Sequence, residues 1–394
     1  MNKPNIPIGG YAFTGNPIFL TDRDGVLGQN QSGHFIVKIG GTQIYEGKCT
    51  APVRINIADI VDSYTDRLPD IPKNTNDDDN IHYLLNFTER NLVEGWVVNC
   101  EDDISDDVRC HVIPGGISRQ NFRRLNELGT DIFEARFLNR RCNFFMTTRS
   151  AGFCLHIKET ELYPLYFIIE DDSLAPNVRD MITGITFDCS TNQEGIFALD
   201  VGHIRRSLFF KSGVLSSAFE VLDGSGKISC KIFIERCDPA KERYRLKFRN
   251  SLGAFEILDL PGELLESRNF EDATDSEYES FDQVTDEAFL LRDRQSVSRT
   301  FNISIPVRSS DEADFVFDMI ASDEVYLLDL TPLPVRVIPS CEESELKHRI
   351  DTPQSVDLSL TVSDKESLIM TDIADGKEWT RRPIFTPHFD NKFN

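Results

Sequence analysis

This chain of 394 residues carries few of the motifs that mark enzymes and metal sites. Its nine cysteines are scattered and odd in number, and no two of them form a Cys-x-x-Cys pair. Such spacing favours free thiols in a reducing compartment over a disulfide scaffold or a zinc site. The chain also has no G-x-S-x-G, H-E-x-x-H or P-loop motif. We therefore expect no enzymatic activity, no catalytic or cofactor-binding residues, no metal ligands and no cofactor.

Long apolar runs are missing as well. No segment approaches the roughly 20 apolar residues of a membrane-spanning helix. The N-terminal stretch lacks the basic region and apolar core of a secretory signal. We expect a protein that is made in the cytoplasm, is not exported by the Sec pathway and has no membrane partner.

Positive charge is scarce relative to negative charge. Acidic residues outnumber basic ones by 65 to 42, which gives a formal net charge of -23. A surface this negative repels phosphate backbones over most of its area. We expect no sequence-specific binding of nucleic acid, and we interpret the arginine pairs at 123–124, 140–141 and 205–206 as salt-bridge partners or solvated side chains.

Phenylalanine, by contrast, is abundant, with 28 residues against two tryptophans. The densest pattern of alternating apolar and charged residues lies in the stretch 244–258, YRLKFRNSLGAFEIL. Tyr244, Leu246 and Phe248 alternate with basic residues, a turn-forming Asn-Ser-Leu-Gly follows, and the alternation then resumes. This stretch predicts a β-hairpin that packs as two strands of a sandwich.

Similar short alternating runs recur about every ten residues from Tyr11 onward, with turn residues between them. A Gly-Gly pair at 40–41 between two such runs predicts a tight hairpin turn. Helical spacing of apolar residues is convincing only near 118–128 and near 310–322, where Ser118 and Ser309 are placed as N-caps. The fold class we predict is mainly β, with tandem β-sandwich or barrel-like modules and two short helices.

Changes in composition divide the chain into seven predicted regions. Polar, acidic and proline-bearing stretches mark the boundaries between modules. We expect an N-terminal β domain (1–68), an acidic linker or loop (69–82), a second β domain (83–160), a third β domain that includes the 244–258 hairpin (161–260), an acidic loop (261–299), a C-terminal β domain with a helix (300–365) and an extended C-terminal arm (366–394).

Three local patterns favour ordinary structural roles over binding sites. Asp22 opens a stretch that resembles the start of a calcium loop, but the later ligands are missing, so it predicts a turn. The pairs Cys110-His111 and Cys154-x-His156 lack a second pair at metal-ligand spacing. The acidic run from 261 to 287 holds ten acids against the single base Arg268 and predicts a solvated loop.

Four segments, in order, carry a resemblance that spans nearly the whole chain. They are Ala12-Phe13-Thr14-Gly15-Asn16-Pro17, the hairpin turn at 248–256, the run Met319 to Leu328 leading to Pro334-Val335, and the short aromatic C-terminal end. In this order and spacing the chain resembles a family of tail-associated or connector-associated structural proteins from phages and prophages of Bacteroides and related Bacteroidales, with crAss-like phages as one candidate group.

The resemblance implies a virion component of the tail hub, the baseplate or a collar or connector ring. It would be made in the bacterial host cytoplasm, would assemble as a homo-oligomeric ring and would contact other virion tail or connector proteins. The acidic segments at 69–81 and 261–287 depart from the family pattern. Two alternatives stay open: a receptor- or carbohydrate-binding β-module of a tail fibre or adhesin, and a hydrolase, such as a glycosidase that uses two carboxylates.

Overall fold

A computed structural model describes most of the chain. The described residues are 10–22, 25–70, 81–83, 89–99, 104–128, 144–149, 154–169, 177–189, 195–222, 226–237, 243–271, 277–292, 295–331, 333–341 and 354–364. The predicted C-terminal arm, most of the predicted linker at 69–82 and Arg140-Arg141 lie outside these residues.

The strands dominate the described chain. Those of the N-terminal half are β1 (Tyr11–Phe13), β2 (Phe19–Thr21), β3 (Ser32–Ile39), β4 (Thr42–Thr50), β5 (Arg54–Asn56), β6 (Ile81–Tyr83), β7 (Leu92–Val98), β8 (Ile104–Ile113), β9 (Phe144–Phe145), β10 (Cys154–Lys158), β11 (Leu165–Ile169), β12 (Asn177–Asp180), β13 (Thr186–Asp188) and β14 (Gly195–Leu199).

The C-terminal half continues the same architecture. Its strands are β15 (Ala218–Leu222), β16 (Ile228–Glu235), β17 (Arg243–Arg249), β18 (Phe255–Pro261), β19 (Leu265–Glu271), β20 (Glu277–Asp282), β21 (Glu287–Arg292), β22 (Ser296–Val307), β23 (Val325–Leu328), β24 (Val335–Ser340) and β25 (Gln354–Val362). The helices of the described chain are α1 (Ala58–Asp62), α2 (Arg119–Leu128), α3 (Val201–Ser212) and α4 (Ser310–Ile320), with a 3-10 turn at Glu159–Glu161. The prediction of a mainly β, sandwich-like fold is confirmed.

The first sheet has the order β1-β8-β7-β3-β4 and is accompanied by the small β2-β5 pair. Strands β3 and β4 are joined at Gly40-Gly41, where Ile39 pairs with Thr42. Both glycines have positive φ, 53° and 79°, so the predicted tight turn is confirmed. The apolar residues of this sheet pack with α1 into one buried cluster that includes Leu20, Val37 and Val97.

Two further sheets share the largest buried cluster. Their orders are β10-β16-β15-β12-β13 and β6-β14-β11-β9. Strands β11 and β14 are buried along their whole length, and their rings Phe167 and Phe197 stack 5.7 Å apart. Helix α3 adds Ile204 and Leu208 to this cluster.

A seven-stranded sheet forms the remaining large layer, with the order β18-β17-β23-β24-β25-β22-β19. Helix α4 packs on its core through Ala313, Phe315, Val316 and Met319. The spacing of apolar residues in the sequence predicts a stripe of Ala313, Val316, Phe317 and Ile320 on this helix. That prediction was partly wrong, because Phe317 is 37% exposed whereas Phe315 and Met319 are buried. The Ser309 hydroxyl accepts from the Glu312 N–H at 3.2 Å, as an N-cap does.

Two predictions about elements need correction. Helix α3 was missed although Asp200 caps it, accepting from the His203 N–H at 2.8 Å, and Gly213 ends it at a φ of 73°. The number of helices predicted was therefore too low. The predicted acidic loop at 261–299 contains β19, β20 and β21, because apolar residues alternate with the acids that dominate its composition.

The chain divides into two compact units. The first comprises 1–267 and 300–363, and the second comprises 268–299 and 364–394. In the described part of the second unit, β20 and β21 form a two-stranded sheet in which each strand pairs only with the other. No helix in the described ranges is both long and apolar enough to cross a membrane.

Candidate functional site

The hairpin predicted at 244–258 forms as β17 and β18, paired from Arg243↔Pro261 to Arg249↔Phe255. Its turn is not a surface loop. Leu252 and Ala254 are buried in the largest cluster, whereas Leu246 and Phe248 belong to the cluster under helix α4. The hairpin therefore joins two hydrophobic cores, which is why its alternation is so regular in the sequence.

Asn250 organises the turn. Its amide nitrogen donates to the Met146 carbonyl at 2.9 Å and to Glu256 Oε2 at 2.7 Å. Its side-chain oxygen accepts from the N–H groups of Leu252 and Ala254 at 3.1 and 3.0 Å. At 3% exposure the side chain is removed from water, so these bonds satisfy polar atoms that would otherwise be costly to bury.

The loop after β8 packs closely on this turn. The Gly116 N–H donates to the Ser251 carbonyl at 2.6 Å. Gly253 has a φ of 85°, and a Cβ there would lie 2.2 Å from the Pro114 carbonyl oxygen. Only glycine allows both the positive φ and this approach of two backbones.

Arg249 extends the contacts from the end of β17. Its guanidinium donates to the Leu68 and Gly253 carbonyls, each at 2.9 Å, and to Glu324 Oε2, also at 2.9 Å. Burial by itself raises the pKa of Glu324, but bonds from Tyr326 and Arg249 outweigh it and hold the pKa below its usual value. Segments far apart in sequence thus meet at one turn.

Buried charges surround the same hairpin. Arg149 pairs with Glu161 at 2.7 Å and lies 3.5 Å from Glu256, and all three side chains are at most 8% exposed. The Arg149 guanidinium also lies 4.2 Å from the ring centroid of Phe315. We call this network of Arg149, Glu161, Asn250, Glu256 and Asp318 the polar junction. Asp318 joins it by accepting from Thr148 Oγ1 at 2.7 Å.

The two glutamates of the polar junction, Glu161 and Glu256, are each 4% exposed and do not form an accessible acid-base pair. Burial raises the pKa of Glu161, but the cations of Arg149 and Lys158 and the N–H groups of Asp259 and Lys158 outweigh burial, so its pKa lies below the usual range. A buried carboxylate that is ionised and paired with arginine holds neighbouring segments in place, and a substrate has no room to bind to it. We therefore interpret the polar junction as a structural centre.

A second hairpin, formed by β20 and β21, is exposed where the β17–β18 hairpin is buried. We call this hairpin, residues 277–292, the ribbon. Tyr278, Phe289 and Leu291 lie on one face of it, and Phe281 and Leu290 lie on the other, as their register requires. All five are exposed, from 37% at Leu291 to 73% at Leu290. This element was not predicted, because the ten acids of 261–287 hide its alternation.

The other sequence candidates show no ligand site. Among the described residues, no group of three or more His, Cys, Asp or Glu side chains is arranged to hold a metal ion. Asp22 accepts from the N–H groups of Val26 and Leu27 at 2.9 and 2.8 Å, as in a turn. Burial raises the pKa of the Cys110 thiol to about 12, which disfavours the thiolate that metals bind.

The arginine pairs have the structural roles predicted for them where they are described. Arg205 is buried and pairs with Glu159 at 2.5 Å, while Arg206 is exposed. Arg123 lies 3.6 Å from Glu127 on the exposed helix α2.

One open groove of about 650 Å³ lies beside the β3–β4 turn. It is lined by Ile39, Gly40, Thr42, Gln43, Ile44, Tyr64, Glu89 and Arg90. Tyr64 is 57% exposed, so the groove combines an accessible aromatic ring with amide, carboxylate and guanidinium groups.

The chain matches no protein-family model, and comparison with curated proteins finds no significant match.

Proposed function

We propose that this chain is a structural component of a phage virion, in the tail hub, the baseplate or a collar or connector ring. In this proposal it is made in the host cytoplasm, forms a homo-oligomeric ring and contacts other tail or connector proteins, with no catalytic role. The ordered resemblance of four segments supports this assignment.

The observation that carries the proposal is the ribbon. A two-stranded hairpin alone is marginally stable in water, yet this one exposes apolar side chains on both faces and, within the described ranges, pairs with no third strand. Exposed apolar surface and open strand edges are typical of protein contact sites. Assembly would bury both, and no substrate is needed to explain them.

Charge is compatible with this role. A formal net charge of -23 disfavours adhesion to DNA. A ring with such a surface around its channel would let DNA pass without binding it.

Light scattering after size exclusion, with negative-stain images of the leading peak, tests the assembly. We expect a closed oligomer. Mass spectrometry of purified particles from the host phage tests the virion assignment separately. A chain absent from those particles would refute the proposal.

The open groove favours a second candidate, a carbohydrate-binding module. Sugar sites commonly place an aromatic ring among hydrogen-bonding groups, and Tyr64 with Gln43, Glu89 and Arg90 supplies them. Trp96 is less suitable, because the Lys38 ammonium lies over its ring at 4.8 Å.

A glycan array would test this candidate. Binding that is lost in Tyr64→Ala and retained in Tyr278→Ala, a change at an exposed tyrosine of the ribbon, would support it. Absence of binding by the wild-type protein would remove it.

A further inference from the structure

A second exposed apolar surface lies in the first unit. It comprises Met181, Ile182, Phe209, Phe210, Val214 and Leu215, all at least 37% exposed. We call it the apolar patch. Phe210 is the most exposed of the six, at 84%.

Hydrogen bonds link the three segments of the apolar patch. From helix α3, the Arg205 guanidinium donates to the Ser216 carbonyl at 2.8 Å. The Met181 N–H donates to the Ala218 carbonyl at 3.0 Å. Ser216 Oγ donates to Asp180 Oδ2 at 2.5 Å and is buried. The end of helix α3 carries Phe209 and Phe210, whose rings lie 6.0 Å apart. The patch is therefore a built surface and not a set of scattered side chains.

Basic side chains border the apolar patch in a chain that is acidic overall. Arg206 is exposed one helical turn before Phe210. Arg236 donates to the Leu215 carbonyl at 3.3 Å. Lys211 lies 5.2 Å from the ring centroid of Phe187. The neighbouring carboxylate Glu235 is 3.9 Å from Arg308.

The ribbon has the complementary chemistry. Its residues 277–292 include five acids (Glu277, Glu279, Asp282, Asp286 and Glu287) and one base (Arg292), a net charge of -4. Like the apolar patch, the ribbon exposes aromatic and aliphatic side chains. Its negative charge is opposite to the positive charge of the basic residues that border the patch. Complementary charge selects a partner and fixes its orientation.

We propose, on the basis of the assembly function proposed above, that the ribbon of one copy docks on the apolar patch of a neighbouring copy. The two surfaces differ, so the contact is heterologous and generates a ring or a filament. Because each copy carries one donor and one acceptor surface, every copy in a closed ring makes two such contacts.

Two single substitutions separate the surfaces. Phe210→Asp places a negative charge in the patch, and Leu290→Asp places one on the ribbon, at sites so exposed that the fold is not disturbed. Each variant should associate at least about tenfold more weakly than the wild type. Leu333→Asp is the matched control, since Leu333 is 76% exposed and belongs to neither surface.

Mixing the two variants is the decisive experiment. The patch variant retains a ribbon and the ribbon variant retains a patch, so one contact can form per pair. Light scattering should show a heterodimer at twice the chain mass, while each variant alone stays monomeric. A mixture that stays monomeric, or variants that assemble like the wild type, would overturn the inference.

Two outcomes separate this inference from the virion assignment. A wild-type chain that is monomeric at about 100 µM, a concentration far above the Kd of a specific complex, overturns the contact between copies. Its detection in particles would still support the virion role. If neither Lys211→Glu nor added salt weakens the association, attraction between the acidic ribbon and the basic border of the patch is not what brings the two surfaces together.

Discussion

The chain contains two β-hairpins with similar alternation and opposite surroundings. In the β17–β18 hairpin, six of the seven residues of β18 are buried, and Asn250 satisfies the turn. In the ribbon, β20 has no buried residue. The first hairpin is stabilised by segments that converge on it from distant parts of the sequence. Among the described residues, the two strands of the ribbon pair only with each other.

Alternation in the sequence therefore does not by itself indicate burial. Both hairpins alternate, but the charges in β17 find partners in other segments, as Arg249 does with Glu324. The ribbon carries an excess of one charge sign. Like charges within one element disfavour compact packing and favour an oppositely charged partner.

The largest effect should follow from Gly253→Ala. The new Cβ would lie 2.2 Å from the Pro114 carbonyl oxygen, at a φ of 85°. We expect the free energy of unfolding to fall by roughly 4 kcal/mol, because backbone must move against backbone. Urea unfolding followed by circular dichroism measures it.

Gly226→Ala is the matched control. Gly226 has a φ of 81° and nothing within 4 Å of a Cβ, so only conformational strain of about 1 kcal/mol is expected. If both variants lost the same free energy of unfolding, the close approach of the 114–116 loop to Gly253 would not contribute to the effect of Gly253→Ala.

Asn250→Ala should have the next largest effect. It leaves the Met146 carbonyl and Glu256 without a donor and removes the acceptor for two N–H groups. We expect a loss of about 3 kcal/mol by urea unfolding, because buried polar groups lose their partners. Asn302→Ala, which removes an exposed bond to Ser359, should cost less than about 1 kcal/mol. If the loss for Asn250→Ala were no greater than the loss for Asn302→Ala, the organising role of Asn250 would be contradicted.

Acid should destabilise the polar junction through Glu161. Its folded-state pKa is lowered, whereas the unfolded value is about 4.3. Its contribution is therefore fully present above the unfolded pKa and is lost as the pH falls through the lower folded-state pKa.

Glu161→Gln tests this contribution. The variant should be less stable than the wild type at neutral pH, and its stability should fall less steeply on acidification. Glu127→Gln is the control, because that side chain is 72% exposed. If the stability of Glu161→Gln fell with decreasing pH as steeply as that of the wild type, Glu161 would be ruled out as a source of acid sensitivity.

Local patterns predicted the β class, the Gly40-Gly41 turn, the β17–β18 hairpin and the Ser309 cap, because each depends on residues close in sequence. Strand pairings between segments far apart in the sequence cannot be predicted from local patterns. The parallel pairs β1–β8 and β10–β16 depend on tertiary packing.

The candidate surfaces were harder to predict than the fold. The polar junction unites Arg149 and Glu161 with residues near 250 and 318, and no spacing within the sequence signals that meeting. The ribbon and helix α3 did have signals, in alternation at 277–292 and in Asp200 and Gly213. The excess of acids masked the first, and the second was overlooked between two strands.

The smallest effect on stability is expected for Leu290→Ser in the ribbon. Leu290 is 73% exposed, whereas Leu258 in β18 is 4% exposed. Leu290→Ser should change the free energy of unfolding by less than about 0.5 kcal/mol, while Leu258→Ser should lower it by about 4 kcal/mol. Both are measured by urea unfolding at a protein concentration low enough to keep the chain monomeric. A large loss for Leu290→Ser under those conditions would mean that the chain itself covers the ribbon, and the difference between the two hairpins would then disappear.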